Sequence, residues 1–414
     1  MLQTQALEHL KSPRNIFLTG EPGSGKSYMV DRFVEWSLDN GREPVITAST
    51  GIAAVNVGGS TLHSWAGIRD DSKLTTEDLE GIALNHFIRK RIQGTEILII
   101  DEISMISAQL LDMVSLVAMH CRGNDLPFGG MRVIMVGDFF QLPPVKGNFA
   151  FTSETWNQLD LVVCNLTEQH RQAEGAFINI LRKVRQNQEL DYEEKEILRD
   201  RKRDDVSGLE VKLRLETHNK KVDMVNQTRL MRHTGDPETY TMSKNGNDKA
   251  IMGLISSCTS PEKLTLKVGV PVMFTRNDPE LRWVNGSQGT VTELHEQYVM
   301  VQLMGSEKEV HVSRVTWERA TGYGANRSVL AAIEQIPLRL AWAITVHKSQ
   351  GMTLDGAIID LSRAFAPGQG YVAISRVRSL DHLYFQGRLS KSAFDVDERV
   401  AEFYQTLSDK YNNA

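Results

Sequence analysis

The sequence predicts an α/β protein of two strand–helix units, the second interrupted by a small β-barrel. Three observations predict it. Short apolar runs alternate with amphipathic segments through the first half, and the same alternation returns at "VKLRL" and after "QIPLRLAWAITV". Between them, from about Lys267 to Pro337, "GTVTELHEQYVMVQLMGSEKEVHVSRVTW" changes to period-two alternation broken by turn residues, the mark of antiparallel strands. The chain has 414 residues, too many for one average domain.

The first unit reads as strands "NIFLT" (Asn15 to Thr19), "PVITA" (Pro44 to Ala48), "EILIID" (Glu96 to Asp101) and "MRVIMVGD" (Met131 to Asp138). Helices Lys26 to Asp39 and Ser107 to Cys121 lie between them. Apolar strands alternating with helices imply a parallel sheet covered on both faces. Ligands of such sheets sit beyond the carboxyl ends of the strands. The charge-dense run Glu189 to Asp205 reads as a solvated helix. "THNKKVDMVNQTRLM" opens on a capping residue and continues as a helix. "NGSQG" (Asn285 to Gly289) supplies turn chemistry to the barrel. "DHLYFQG" (Asp381 to Gly387) looks like a protease-cleavage scar, but it is internal and reads as a strand completing the second sheet.

Composition narrows the function. Hydrophobic residues make up 41% and charged residues 24%, an ordinary globular mixture. No apolar run approaches the roughly 18 residues of a membrane span, and "MLQTQALEHL" lacks a signal-peptide pattern; no membrane role and an intracellular, cytoplasmic location are expected. Cys121, Cys164 and Cys258 lack metal-ligand spacing and read as reduced thiols. A net charge of −5 disfavours coating of nucleic acid by bulk electrostatics but leaves room for a locally basic groove.

The chemistry gathers at the predicted strand ends. "GEPGSGKS" (Gly20 to Ser27) fits G-x-x-x-x-G-K-[ST] between a strand and a helix; on the order of 0.01 chance matches are expected in a chain this long. Its glycines (Gly20, Gly23, Gly25) and Ser24 let backbone N–H groups wrap a polyphosphate. Lys26 suits the β- and γ-phosphates of ATP, and Ser27 suits Mg²⁺. Asp101 and Glu102 end a buried strand in "ILIIDEISMI"; Asp101 suits Mg²⁺ through water, and Glu102 suits activation of the attacking water. Gln141 in "GDFFQLPPV" follows another strand end. Its amide can donate and accept, so it can sense a γ-phosphate, and Pro143 and Pro144 stiffen the chain after it. Arg171 in "LTEQHRQ" and Arg376 in "YVAISRVRS" each follow an apolar, strand-like segment. They are candidates for stabilising transition-state charge, although a lone arginine more often makes a surface ion pair.

These stretches, with "TASTGIAAVNVGGSTLHSWAGI", "PFGGMRVIMVGDFFQLPPV" and "LRLAWAITVHKSQGMTLDGAIIDL", occur in the order seen in the Pif (petite integration frequency) helicases. These helicases belong to the RecD-like branch of superfamily one, and the resemblance spans about Gln5 to Leu383. It implies two RecA-like motor domains with parallel sheets and a small Src-homology-like β-barrel inserted in the second. The corresponding boundaries are 1–172, 173–266 with 338–414, and 267–337 for the barrel. The resemblance further implies ATP with Mg²⁺ between the motors, and 5′-to-3′ translocation on single-stranded DNA. Unwinding of forked or partial-duplex DNA by a monomer, in replication, repair or recombination, follows from it. By position Gln5 resembles the adenine-reading glutamine and Gln141 the sensor. Arg171 and Arg376 match the paired γ-phosphate arginines, and Gly351 a residue at the same nucleotide.

Thr50, Gly51, Thr61, His63, Thr345, His347 and Lys348 match segments that touch the strand. Hydroxyls, glycines and a histidine suit phosphate contacts; Trp65 reads either as a stacking residue or as core. Residues 66–93 resemble the strand-separating insertion, with His86 and Phe87 as wedge candidates and helix core as the other reading of Phe87. The rival function is a DNA-stimulated regulatory ATPase that switches without translocating. A second α/β unit carrying Arg376 favours a motor, because a switch needs only one nucleotide domain.

Overall fold

Apolar strands end where polar loops begin, and that rule shapes both parallel sheets. The structure, a computed structural model, describes residues 1–68, 74–168, 175–211, 213–280, 282–283, 285–321, 328–389 and 391–412. Two compact units divide the chain: Met1–Glu189 with Ala366–Tyr371 and Phe394–Ala414, and Leu190–Phe365 with Val372–Ala393.

The first unit contains six parallel strands: β1 (Asn15–Gly20), β2 (Val45–Ala48), β3 (Ser60–Thr61), β4 (Ile97–Asp101), β5 (Arg132–Val136) and β6 (Leu161–Leu166). Their order is β3-β2-β4-β5-β1-β6, which puts β1 inside the sheet. Ile16, Phe17 and Leu18 are fully buried, as are Leu98, Ile99 and Ile100 of β4; strands covered on both faces need continuous apolar runs. The expected helix Lys26–Asp39 forms with those bounds, and the next predicted one runs Ala108–Arg122, capped by the Ser107 hydroxyl.

In the second unit four parallel segments lie in the order Ala343–Thr345, Arg214–Glu216, Ala357–Ile359, Leu383–Phe385. The last lies in "DHLYFQG", so that stretch is integral to the sheet. The helix Asn219–Arg232 starts at His218 rather than on a hydroxyl cap; the Thr217 hydroxyl bonds His218 Nδ1 instead.

Antiparallel sheets make the rest. One runs Glu309–Ser313, Tyr298–Leu303, Gln288–Leu294, Pro271–Phe274, Leu338–Leu340. A second pairs Val315–Thr321, Ser328–Gln335 and Ser243–Gly246, and a third pairs Glu238–Thr241 with Lys263–Leu266. Tyr240, Leu264, Val272, Phe274, Val301, Val312 and Trp342 share one core. The antiparallel region therefore begins at Glu238, earlier than the expected Lys267. The compact units divide the chain differently from the expected motors: residues up to Glu189, Ala366–Tyr371 and Phe394 onward group with the first. The cause for Phe394 onward is the last helix, Glu398–Asn412, whose Phe403 ring lies 4.3 Å from Phe151, 5.5 Å from Phe139, 5.9 Å from Trp156 and 6.2 Å from Phe17. No helix among the described residues is long and apolar enough to cross a membrane, and the three cysteines are free thiols.

Candidate nucleotide site and strand-facing segments

β1 delivers the chain to the phosphate loop. Gly23 and Gly25 take φ of 84° and 89°, a left-handed backbone that residues with a side chain rarely adopt. Gly25 is also the N-cap of the Lys26–Asp39 helix, whose free N–H groups and dipole favour an anion. Lys26 Nζ donates to the carbonyls of Gly20 (2.7 Å) and Glu21 (3.1 Å), so it lies curled over its own loop. Ser27 is exposed, while Ser24 Oγ is buried with no hydrogen-bond partner.

β4 delivers Asp101 and Glu102 to the same sheet edge. Burial, then the charge of Glu102, pushes the Asp101 carboxyl up to about 7, against the opposing pull of Lys26. Glu102 stands at φ 51°, and its N–H donates to Asp101 Oδ1 at 2.8 Å. A non-glycine residue there is strained, and such strain concentrates at functional positions. Among the described residues no three His, Cys, Asp or Glu side chains converge into a metal cage. A Mg²⁺ that takes one or two protein oxygens and shares the phosphates of its nucleotide fits this donor set.

β5 delivers the third group. Gln141 is 5% exposed, and its amide oxygen is buried without a donor, a costly state unless a ligand or water completes it. The turn before it is anchored by Asp138, which is fully buried. Asp138 Oδ1 receives the Phe140 N–H at 3.2 Å and pairs with Arg185 at 3.0 Å. Gly368 lies against the carbonyls of Phe140 and Gln141, where a Cβ would come within 2.6 and 2.7 Å of the two oxygens.

Other predicted residues stand differently. Gln5 is exposed, and its amide oxygen accepts the Leu2 N–H as a helix cap. The glutamine that touches the phosphate loop is Gln3, whose Nε2 donates to the Ser24 carbonyl at 3.0 Å. Sequence reasoning missed Gln3; the signal available was its place in the first turn of the helix before β1. Arg171 lies outside the described residues. Arg376 is 2% exposed and follows a helix, Gln369–Ser375, not the strand-like segment expected. Its guanidinium donates to the Val372 carbonyl (3.0 Å) and Ser375 Oγ (2.9 Å). Gly351 takes φ 76° just after the His347–Ser349 turn.

The strand-facing candidates lie at strand ends and helix starts. The Thr50 hydroxyl accepts the Ala53 N–H at 3.2 Å where Gly51–Asn56 begins, and Thr61 caps Leu62–Ala66, which carries His63. Trp65 is core, at 1% exposure. Thr345 is buried, and its hydroxyl accepts the Lys348 N–H at 3.2 Å. Burial, then His218, lowers the His347 pKa; burial, then Arg339, lowers that of Lys348. The His347 ring stacks on Phe365 at 5.7 Å. Within residues 66–93, Phe87 is 81% exposed at the start of helix His86–Gly94, so it is not core there.

Residues 3–195 match the family model described as PIF1-like helicase, and residues 253–294 that of the DNA helicase Pif1 2B domain. The ATP-dependent DNA helicase Pif1 of Psychrobacter sp. is 37% identical over 97% of this chain and 71% of its own length. That of Bdellovibrio bacteriovorus is 36% identical over 97% of this chain and 91% of its own. The crystal structure of Bacteroides sp Pif1 in complex with ADP-AlF4 matches with TM-score 0.87 at 30% identity, covering 99% of this chain and 96% of that one. Bacteroides Pif1 bound to ssDNA matches with TM-score 0.66 at 30% identity over 99% and 97%. With phosphate loop, paired carboxylates and buried glutamine at one sheet edge, and relatives this similar along nearly the whole chain, the protein belongs to the PIF1-like helicase family.

Proposed function

We propose that the chain is an ATP-dependent DNA helicase that moves 5′-to-3′ along a single strand as a monomer and unwinds forked or partial-duplex DNA. The observation that supports it most is the edge of the first sheet. There Asp101 ends one of three neighbouring strands and Lys26 and Gln141 follow the other two, and the Gln141 amide oxygen is left without a donor. Lys26 neutralises the β- and γ-phosphates, Glu102 orients the attacking water, and Gln141 responds to the γ-phosphate. Ser27 and Asp101 hold Mg²⁺, which neutralises phosphate charge when bound. Arg171 and Arg376 supply positive charge to the transition state, and Gly351 borders the nucleotide. Thr50, Gly51, Thr61, His63, Thr345, His347 and Lys348 contact the strand.

Opening a base pair loses roughly 1.4 kcal/mol of stacking, and one aromatic stack on a freed base returns about 1–3 kcal/mol. Capture thus offsets fraying, and hydrolysis is needed to release each base and make the exchange directional. The test is unwinding of matched duplexes carrying either a 5′ or a 3′ single-stranded tail, with and without ATP. ATP-dependent opening of the 5′-tailed duplex alone supports the reading. Opening of the 3′-tailed one reverses the polarity, and ATP hydrolysis with no opening of either returns the regulatory switch.

A further inference from the structure

Phe403 and Tyr404 are neighbours on the last helix but do different work. The Phe403 ring sits among Phe17, Phe139, Phe151 and Trp156, an apolar insertion that contributes to docking the helix. Tyr404 turns toward the carboxyl edge of the sheet. Its hydroxyl lies 2.7 Å from Thr19 Oγ1, accepts the Phe139 N–H at 3.3 Å and donates to Asp138 Oδ1 at 3.4 Å. Thr19 immediately precedes Gly20, where the phosphate loop opens. Phe139 lies two positions before Gln141. β1 and β5 pair up to Leu18 and Val136, with one further bond from the Gly137 N–H to the Leu18 carbonyl. Past that point the Tyr404 hydroxyl ties the two strand ends together.

The rest of the side chain is braced to hold the hydroxyl there. Its ring stacks on Phe140 at 4.7 Å, and the Arg185 guanidinium lies 4.4 Å from the Phe140 ring and 5.2 Å from the Tyr404 ring. Burial works against the Arg185 charge, but Asp138 outweighs it and holds the guanidinium ionised. Burial, then Asp138, raises the Tyr404 hydroxyl above its ordinary range, so it keeps its proton. Docking alone needs no hydroxyl at this depth; an unbonded one would be a cost.

We propose that Tyr404 is a positioning residue for ATP hydrolysis: its hydroxyl fixes the Asp138–Gln141 turn against the strand end that opens the phosphate loop, and so sets where the Gln141 amide stands. The proposal rests on the reading of Gln141 as the γ-phosphate sensor.

Tyr404→Phe keeps the ring stack and removes only the oxygen. With saturating single-stranded DNA its kcat for ATP should fall about tenfold while KM stays within about twofold. Thr19→Val, which removes the other end of the bond, should reproduce that split. On a Gln141→Ala background, adding Tyr404→Phe should cost nothing more, because both act through one amide. Slow Gln141→Ala with wild-type kcat in Tyr404→Phe, or effects that multiply, overturns the positioning role and leaves the sensor intact. A Gln141→Ala variant at wild-type kcat removes the sensor reading and the proposal with it. Loss of kcat and KM together with a lowered melting temperature in Tyr404→Phe would make the residue a docking contact and overturn the proposal.

Discussion

The two parallel sheets use their carboxyl edges in opposite ways. In the first unit the edge is left chemically open: Gln141 has a buried oxygen without a donor, Ser27 is exposed, and Asp101 is pushed up to about 7. In the second unit the ends of two neighbouring strands are tied by ion pairs. Lys221 Nζ bridges Glu216 (2.8 Å) and Asp360 (2.7 Å), and Arg214 reaches Glu216 at 3.2 Å. Glu216 and Asp360 thereby have their charge compensated within the unit itself. A shared architecture does not duplicate a site: one edge carries the phosphate loop, and the other carries an ion cluster that fixes its own strand ends.

Exchanging one lysine from each edge breaks the comparison if it is wrong. Lys26→Ala should reduce ATP turnover by about 10²–10³-fold, the scale of losing a preorganised charge contact, with its melting temperature nearly unchanged. Lys221→Met should do the reverse. It should lower stability by about 1–3 kcal/mol by leaving Glu216 and Asp360 undercompensated, with ATP affinity retained. Thermal melts and nucleotide titrations on both variants read this, and an unstable Lys26→Ala or an ATP-blind Lys221→Met would erase the distinction.

Asp101 sharpens it through pH. Its folded pKa is raised, so the free protein holds a proton there that the unfolded chain releases above about pH 4. Stability is therefore lost as pH climbs from about 4 to about 7. Asp101→Asn escapes that loss, so its advantage over the wild type should widen by up to about 1.4 kcal/mol per pH unit and then level off. Parallel stability curves for the two proteins would show that the carboxyl is not pushed up.

The strands of the first unit were legible because "IFL" and "ILII" are apolar throughout, and the phosphate loop because its spacing is rare by chance. What escaped was set by contacts distant in sequence. "YVAIS" has the β-branched, aromatic composition of a strand, yet it is a helix with Tyr371, Val372, Ala373 and Ile374 all buried; burial on every side removes the amphipathic period that separates the two. Gln3 and Gln5 are indistinguishable by type, and only the turn of the helix decides which reaches Ser24. Docking of Phe403 on β1 joins segments at opposite ends of the chain, which no local pattern encodes. Phe87 reads as core by composition, but its helix leaves it exposed.

Under the proposed function, Lys26 and the phosphate loop serve nucleotide binding, while Arg376 serves bond cleavage rather than binding. The measurement that meets this division most directly is ATP affinity and single-turnover hydrolysis on the same preparation of Arg376→Lys with single-stranded DNA present. Affinity should stay within about threefold of wild type while the cleavage rate falls by about 10³-fold. Wild-type cleavage, or affinity lost as steeply as cleavage, would contradict it.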